Sequence, residues 1–328
     1  MTNIVEFKDV KKFFPVKRSF IEGLMGRQAK YVRAVDGVTL GVEEGEVFAL
    51  VGESGSGKTT LGKLSLLVYL PTSGEIRFDG GEISKLHGEE LHRFRRSAQM
   101  VYQDPIAALN PRVRIGDAIG EPLRFHGLGT AEEQRQKVVS MMKRVGLDPV
   151  EELYGRHPHE LSGGQRQRVV IARALVLGPK YLVADEPVAM LDVSIRAQIL
   201  KLLLELKKEM NLTLLVITHD LAIAKYFADH VAIMYLGRIA EFATREEVFK
   251  NPLHPYTQAL FSSVPIPDPE RTRKRMVIRG EIPSATSPPQ GCRFNPRCPF
   301  AFDRCRVEEP VLKEHGGGHL VSCHLYDR

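Results

Sequence analysis

The chain has 328 residues, of which 43% are hydrophobic and 26% charged, values typical of globular rather than disordered or fibrous proteins. Its 46 basic and 40 acidic residues give a formal net charge of +6 without a separate basic arm, so nucleic-acid binding is not expected. No apolar run approaches the roughly 20 residues that span a bilayer, and the polar start MTNIVEFKDVKKF predicts no signal peptide. We therefore expect a cytoplasmic protein, with two domains or one large domain and an appendage.

The first strand that carries a motif is VFALVG (47–52), a short apolar run typical of a buried parallel strand. GESGSGKT (52–59) follows it, matches G-x-x-x-x-G-K-[ST] and precedes a helix pattern, which is the context of a phosphate-binding loop. Its glycines allow close backbone approach, so that N–H groups and the helix N-terminus bind an anion. We predict that Lys58 reaches the β- and γ-phosphates, that Thr59 ligates Mg²⁺ and that Thr60 supports the phosphates. The predicted nucleotide-binding residues of this loop are Gly52, Glu53, Ser54, Gly55, Ser56, Gly57, Lys58, Thr59 and Thr60.

The next segment with a predicted role is MVYQDP (100–105), a strand pattern that breaks into a proline loop. The amide of Gln103 offers both a donor and an acceptor there, so it can serve Mg²⁺ and a water molecule. A stretch rich in Glu, Gln, Lys and Arg then predicts helices from about Asp117 to Arg173. We expect a helical subdomain over about residues 105–175.

Two further buried strands are predicted at YLVADEP (181–187) and TLLVITHD (213–220). Between them, apolar residues recur every three or four positions from Ile195 to Met210, which predicts an amphipathic helix. Strand, crossover helix and strand form a βαβ unit, so the predicted fold class is α/β with a parallel sheet.

The carboxyl ends of these two strands carry polar side chains suited to phosphoryl transfer, since open α/β sheets bind ligands at that edge. Asp185 is predicted to hold Mg²⁺, Glu186 to orient and polarise the attacking water, and His219 to hydrogen-bond the γ-phosphate and the water. An Asp-Glu pair alone can be a helix cap, and a lone histidine is more often structural. The P-loop earlier in the chain favours the catalytic interpretation.

LSGGQRQR (161–168) resembles the signature motif of ATP-binding-cassette (ABC) ATPases, and the order of motifs along the chain is also theirs. The resemblance covers about residues 4–260 and implies a P-loop NTPase cassette that hydrolyses Mg²⁺-bound ATP. In this family two cassettes pair head to tail, and the signature motif of one covers the γ-phosphate on the other. One departure is Ala189 where the family usually has serine, which puts one hydrogen bond across that dimer in doubt. The residues that the resemblance places on the nucleotide across the dimer are Ser162, Gly163, Gly164 and Gln165, and Asp192 is a further candidate nucleotide-binding residue.

The resemblance also implies that adenine stacks on an aromatic residue upstream of the P-loop. Tyr31 lies 21 residues before Gly52 and is the preferred candidate. Phe14 is the rival, and either ring can instead belong to the core.

A closer resemblance comes from the flanking segments, which are similar to those of ATP-binding subunits of oligopeptide/dipeptide permeases. The inserted FPVKR-type segment favours the F-type of the two subunits in such permeases. This implies import of di- or oligopeptides, with oligosaccharides or metal ions as the alternative cargo. It implies a D-type ATPase partner or a second copy of this chain, two membrane-spanning subunits and an extracytoplasmic solute-binding protein, and a peripheral place on the cytoplasmic face of the membrane. The segments are 13–38, 102–112, 157–168 and 185–200.

The last part of the chain, 261–328, begins as a proline-rich basic linker with one predicted short strand, MVIRG (276–280). Its end is similar to the C-terminal extension of the same permease subunits and holds all four cysteines, spaced C-x5-C-x6-C-x17-C. A cytoplasmic disulfide is disfavoured, and zinc usually binds more closely spaced pairs. Four thiolates also match a [4Fe–4S] cluster, as the resemblance suggests, so cluster, zinc and metal-free thiols remain open. A non-transport redox or metal-binding module is the alternative function of another class. The candidate ligands are Cys292, Cys298, Cys305 and Cys323.

Overall fold

The structure is a computed structural model that describes residues 2–16, 30–263, 278 and 280–327. The chain divides into two compact units. One comprises Met1–Ile4, Glu43–Val47 and Lys85–Ile217, and the other comprises Val5–Val42, Phe48–Ser84 and Thr218–Arg328. Over the described ranges, every helix is too short or too polar to cross a membrane.

Strands and helices are numbered here in chain order. The strands are β1 (Asn3–Pro15), β2 (Tyr31–Glu43), β3 (Val47–Val51), β4 (Ser73–Phe78), β5 (Gly81–Glu82), β6 (Ala98–Val101), β7 (Tyr181–Asp185), β8 (Thr213–Thr218), β9 (His230–Tyr235), β10 (Arg238–Thr244), β11 (Lys313–Glu314) and β12 (Leu320–Val321). The helices are α1 (Lys58–Ser65), α2 (Gly88–Ser97), α3 (Pro105–Ala108), α4 (Ile115–Phe125), α5 (Ala131–Arg144), α6 (Val150–Gly155), α7 (Gly163–Leu175), α8 (Val193–Met210), α9 (Leu221–Phe227), α10 (Arg245–Lys250), α11 (Pro255–Ser263) and α12 (Asp303–Val307).

The first unit contains the predicted βαβ arrangement. β7 pairs in parallel with β6 on one side and with β8 on the other, and every residue of β7 and β8 is buried. α8 connects β7 to β8 and buries Ile199, Leu202 and Leu206, whereas Ile195 and Met210 are half-buried. The α/β fold class and the amphipathic crossover helix are therefore confirmed.

The helical stretch of the first unit consists of separate helices, α4 to α7, rather than one continuous element. Glycines with positive φ, Gly127, Gly129 and Gly146, lie in the connections between them, where an L-residue side chain would be strained. α5 begins with a capping box, since Thr130 and Glu133 each accept a backbone N–H of the other. Local turn and cap residues thus set where each helix starts and stops.

The second unit holds a four-stranded sheet in the order β2-β1-β4-β5. It also holds strands in the order β11-β12-β10-β9-β3, with β3 parallel to β9 and the other pairs antiparallel. The C-terminal region contributes β11 and β12 to this sheet and buries Phe294 against Tyr235 and Tyr256, at ring-centroid distances of 5.3 and 5.4 Å. This region therefore shares a core with the strands that support the P-loop. Of the strand predicted at 276–280, only Ile278 and Gly280 lie among the described residues, and residues 17–29 of the inserted segment lie outside them.

Candidate functional site

The predicted phosphate-binding loop joins the buried strand β3 to α1, as the motif requires. Gly52, Gly55 and Gly57 all have positive φ, at 159°, 78° and 107°. A Cβ on Gly52 would lie 2.2 Å from the carbonyl oxygen of Met234, and one on Gly57 would lie 2.1 Å from that of Ala34. Only glycine fits at these two positions, because both clashes are with backbone atoms.

Lys58 is buried at the centre of this loop, with 6% of its surface exposed. Its Nζ donates to the carbonyl oxygens of Gly52 and Glu53, at 2.8 and 2.9 Å, and lies 3.3 Å from Oγ of Ser56. Ser56 is also buried, whereas Ser54 is exposed and Thr59 and Thr60 at the start of α1 are half-buried. The loop therefore holds a shielded positive charge beside its own backbone, as an anion site needs.

Residues predicted to act on the attacking water come together in the first unit. Gln103 lies two residues after β6, and its Nε2 donates to Oε2 of Glu186 at 3.0 Å. Asp185 ends β7 and is 5% exposed. Glu186 has a left-handed backbone, with φ of 46°, and its N–H donates to the carbonyl oxygen of Ile217 at 2.9 Å. This arrangement fixes the direction in which the Glu186 carboxylate leaves the strand.

The signature segment begins α7, with Ser162 as the N-cap. Ser162 Oγ accepts the Gln165 N–H at 3.3 Å, and Gln165 Oε1 accepts the Ser162 N–H at 3.0 Å. A Cβ on Gly164 would lie 2.9 Å from Cγ2 of Ile195 on α8, whereas Gly163 is exposed. The helix N-terminus is thus closed by a capping box and is exposed at Gly163.

Four other predicted residues are exposed or half-buried. Asp192 is the exposed N-cap of α8 and makes no side-chain cap hydrogen bond. His219 is exposed and follows β8 by one residue rather than ending the strand. Tyr31 is 46% exposed at the start of β2, whereas Phe14 is half-buried with its ring edge-to-face on Tyr69 at 5.2 Å. Tyr31 is thus more exposed than Phe14.

The four C-terminal cysteines are all free thiols, and two of them, Cys305 and Cys323, are buried. Burial, together with a smaller effect of the neighbouring thiols of the set, raises the pKa of Cys292 to about 11 and that of Cys323 to about 12. Backbone groups partly oppose the effect of burial on these pKa values, at Phe294 and Asn295 for Cys292, at Phe300 for Cys298 and at Leu325 for Cys323. The fold therefore brings four thiols that are distant in sequence into one neighbourhood.

Their spacing does not match a single bound ion. Zn–S bonds of about 2.3 Å in a tetrahedron place sulfur atoms roughly 3.8 Å apart. Among the residues that the structure describes, no three of these sulfur atoms lie within 4.8 Å of one another. The arrangement thus lacks the geometry of a zinc site.

Sequence reasoning missed the partners of Glu53 in the P-loop. The Arg297 guanidinium binds its carboxylate, and the Tyr256 hydroxyl accepts its N–H. Burial raises the pKa of Tyr256, so its phenol stays protonated. No local pattern indicates these contacts, because the partners lie 203 and 244 residues away along the chain.

Family models match two parts of the chain. One, described as ABC transporter, matches residues 35–189, and another, described as oligopeptide/dipeptide transporter, C-terminal region, matches residues 240–305. The second match includes Cys292, Cys298 and Cys305, and it stops short of Cys323.

Curated relatives are similar over nearly the whole chain. The oligopeptide transport ATP-binding protein AppF of Bacillus subtilis (strain 168) is 48% identical over 326 residues, which cover 98% of this chain and 97% of that protein. The dipeptide transport ATP-binding protein DppF of Haemophilus influenzae (strain ATCC 51907 / DSM 11121 / KW20 / Rd) is 46% identical, with 97% and 95% covered.

Solved structures give the same fold. The dimeric post-hydrolysis state of the ATP-binding cassette MJ0796, bound to ADP and Pi, matches with a TM-score of 0.63 and 30% identity, covering 74% of this chain and 98% of that chain. CbiO1 of Clostridium perfringens, part of the transporter complex cbiONQ, matches with a TM-score of 0.63 and 30% identity over 76% of this chain and 91% of that chain. The P-loop NTPase cassette fold is confirmed, and the chain belongs to the ATP-binding subunits of the ABC transporter family, with the C-terminal region of the oligopeptide/dipeptide transporters.

Proposed function

We propose that the protein hydrolyses ATP on its P-loop and thereby drives the import of di- or oligopeptides through separate membrane-spanning subunits. The observation that carries the proposal is the glycine loop around Lys58, whose buried ammonium and adjacent helix N-terminus suit a polyphosphate. Similarity to two peptide-transport ATP-binding proteins over nearly their full lengths supports the cargo. Oligosaccharides or metal ions are the alternative cargo. The cassette is proposed to span about residues 4–260 and the extension 261–328.

The roles of the site residues follow from their chemistry. Mg²⁺, when bound, would neutralise charge on the phosphate oxygens, and the hydroxyl of Thr59, the amide of Gln103 and the carboxylate of Asp185 would offer the oxygen ligands it prefers. Lys58 stabilises negative charge on the transferred phosphoryl group. Glu186 accepts a proton from the attacking water or orients it. His219 hydrogen-bonds the γ-phosphate, and Tyr31 stacks on the adenine ring.

The proposed assembly pairs two cassettes head to tail, so that Ser162, Gly163, Gly164, Gln165 and Asp192 of each reach the nucleotide on the other. The exposed N-terminus of α7 supports this, since Ser162 and Gly163 lie at the surface, where the helix N-terminus is accessible to an anion bound by another chain. The partner is a D-type subunit, or a second copy when the chain is isolated. Two permease subunits hold the pair on the cytoplasmic face of the membrane. On the opposite side, an extracytoplasmic solute-binding protein delivers the cargo.

Glu186→Gln tests the ATPase function. The variant should bind ATP with near-normal affinity and hydrolyse it at least about 100-fold more slowly, the usual contribution of a general base. Glu205→Gln, on the exposed face of α8, is the matched control and should keep full activity. Undiminished turnover by the Glu186 variant would contradict the assignment.

Cargo is tested separately, in proteoliposomes that contain the chain with its permease and solute-binding partners. Labelled peptide should accumulate in an ATP-dependent manner and should fail to do so with Glu186→Gln. Uptake of an oligosaccharide or a metal ion instead of peptide would favour the alternative.

The four thiols are proposed to hold a [4Fe–4S] cluster, which takes one thiolate on each of four irons and so needs wider sulfur spacing than a single ion. The cluster is compatible with the finding that, in the described part of the chain, no three of these sulfur atoms lie within 4.8 Å of one another. When bound, the cluster would crosslink the extension. No step of ATP hydrolysis needs it.

Metal analysis of protein purified without oxygen tests the cluster. Iron and acid-labile sulfide should be present together, and Cys323→Ser should lose both while the neighbouring Ser322→Ala keeps them. Stoichiometric zinc without iron would favour the zinc alternative. Protein that holds neither metal would favour structural thiols.

A further inference from the structure

The second residue of the P-loop, Glu53, is held by the C-terminal region of the same chain. Arg297 Nη1 and Nη2 donate to the two carboxylate oxygens of Glu53 at 2.8 and 3.2 Å, a bidentate pair. The side chain of Arg297 is 9% exposed and that of Glu53 is 23% exposed. This ion pair is therefore largely shielded from water, unlike the exposed pairs that contribute little.

Aromatic side chains fix the position of the guanidinium. Its Cζ lies 5.8 Å from the ring centroid of Tyr235, and Nη1 lies 3.3 Å from the hydroxyl of that tyrosine. Tyr235 packs on Tyr256 at 4.7 Å and on Phe294 at 5.3 Å between ring centroids. Because Phe294 lies only three residues before Arg297, one turn of the C-terminal region supplies both the charge and its support.

Every polar group of Glu53 has a partner, so the residue has little freedom. Its N–H donates to the Tyr256 hydroxyl at 2.9 Å. Its carbonyl oxygen accepts Nζ of Lys58 at 2.9 Å and the N–H of Ser56 at 3.2 Å. Since Glu53 contacts the P-loop lysine through its backbone, a shift of its side chain is transmitted to the centre of the loop.

Electrostatics gives the contact a second consequence. Glu53 is an anionic side chain on a loop whose ligand carries several negative charges. Left uncompensated, its carboxylate would repel the phosphates. At about 10 Å and an effective dielectric constant of about 20, one unit charge changes affinity by roughly tenfold. Arg297 cancels this repulsion and holds the carboxylate at a fixed position.

We propose that Arg297 is a positioning residue for nucleotide binding: it neutralises and anchors Glu53 without touching the nucleotide, so that the C-terminal region sets the affinity of the P-loop. The inference rests on the proposed function, in which the P-loop binds ATP. It gives this region a role in the cassette that is independent of any group held by its cysteines.

The test compares full-length variants whose folding has been verified by circular dichroism. Arg297→Met removes the charge but keeps a long apolar side chain, and Arg297→Lys keeps a single charge without the bidentate geometry. Glu53→Gln, alone and with Arg297→Met, removes the carboxylate that needs compensation. Arg304→Met is the matched control, because Arg304 makes a similar bidentate pair with Glu308 in the same region, at 2.7 and 2.8 Å.

Arg297→Met should raise the Kd for ATP and the KM roughly tenfold, with kcat at saturating ATP within about twofold of the wild type. The Kd and KM of Arg297→Lys should lie between those of Arg297→Met and those of the wild type. Adding Glu53→Gln should restore most of the ATP affinity to the Arg297→Met protein. Arg304→Met should change neither constant. A role limited to stability would instead lower the fraction of active protein and leave KM unchanged.

Two results would overturn the inference: an ATP affinity of folded Arg297→Met within about twofold of the wild type, or no recovery on adding Glu53→Gln. If Arg297→Met does not fold, Arg297→Lys and the double variant decide. Failure of the wild-type chain to bind ATP would instead refute the proposed function, so the two failures are distinguishable.

Discussion

Replacing Arg293 by methionine should destabilise the protein strongly, because it leaves the carboxylate of Asp36 buried without its main partner. The two side chains form an ion pair in which each is only 7% exposed, and Arg293 Nη1 also donates to the carbonyl oxygen of Leu236. Burial lowers the pKa of Arg293, and Asp36 opposes that effect. The pair joins the C-terminal region to β2, 257 residues earlier in the chain.

The expected cost follows from what remains around Asp36. Breaking a buried pair costs about 3–5 kcal/mol, since a charge stays desolvated. Arg33 Nη1 lies 3.7 Å from Asp36 Oδ2 and is half-exposed, so it compensates in part. We expect the free energy of unfolding to fall by about 3 kcal/mol for Arg293→Met and by about 2 kcal/mol for Asp36→Asn. The loss in the double variant should be well below the sum of these two losses.

Urea unfolding measures these free energies. The chain has no tryptophan, so far-ultraviolet circular dichroism is the appropriate signal. Arg304→Met breaks a pair whose side chains are 40% and 54% exposed, and it should cost less than about 1 kcal/mol. A loss below about 1 kcal/mol for Arg293→Met, or strict additivity in the double variant, would refute the reasoning.

Three further predictions concern single residues. Gly52→Ala should abolish ATP binding, because its Cβ would lie 2.2 Å from the carbonyl oxygen of Met234, and normal binding in a filter assay would contradict the loop geometry. Gln103→Leu should lower kcat roughly tenfold with unchanged ATP affinity, since hydrogen bonds to charged groups contribute about 1.5–3 kcal/mol, and an unchanged kcat would show that its contact with Glu186 is dispensable. Burial lowers the pKa of His254 from 6.5 to about 4, although the Glu241 carboxylate opposes this. On acidification, the unfolded chain binds a proton at this histidine at a higher pH than the folded chain does. The free energy of unfolding should therefore fall as the pH decreases from 6.5 to about 4, and His254→Asn should reduce this pH dependence in urea titrations.

Local patterns were sufficient for the parts of the fold that local chemistry determines. The apolar runs predicted β3, β7 and β8, and the recurring apolar residues predicted α8, whereas the start of α7 follows from the capping residue Ser162. Each depends on neighbours within a few residues, through strand burial, helical periodicity or capping. The P-loop geometry is also determined locally, because its glycines adopt positive φ.

Contacts between distant segments could not be predicted in this way. The pairs of Arg293 with Asp36 and of Arg297 with Glu53 depend on how the C-terminal region folds back onto the strands, which no periodicity encodes. The sequence marked that region by its proline-rich start, by its cysteines and by its resemblance to the C-terminal extension of permease subunits. Its arginines Arg293 and Arg297 carry no local signal of these partners.

The left-handed backbone of Glu186 has a consequence for protein engineering. A non-glycine residue at φ of 46° stores about 1–3 kcal/mol of strain, which glycine would release. Glu186→Gly should therefore gain stability from its backbone while losing its carboxylate. A selection for heat resistance alone would accordingly favour inactive proteins at this position, and a screen for robust variants of the subunit must also require turnover.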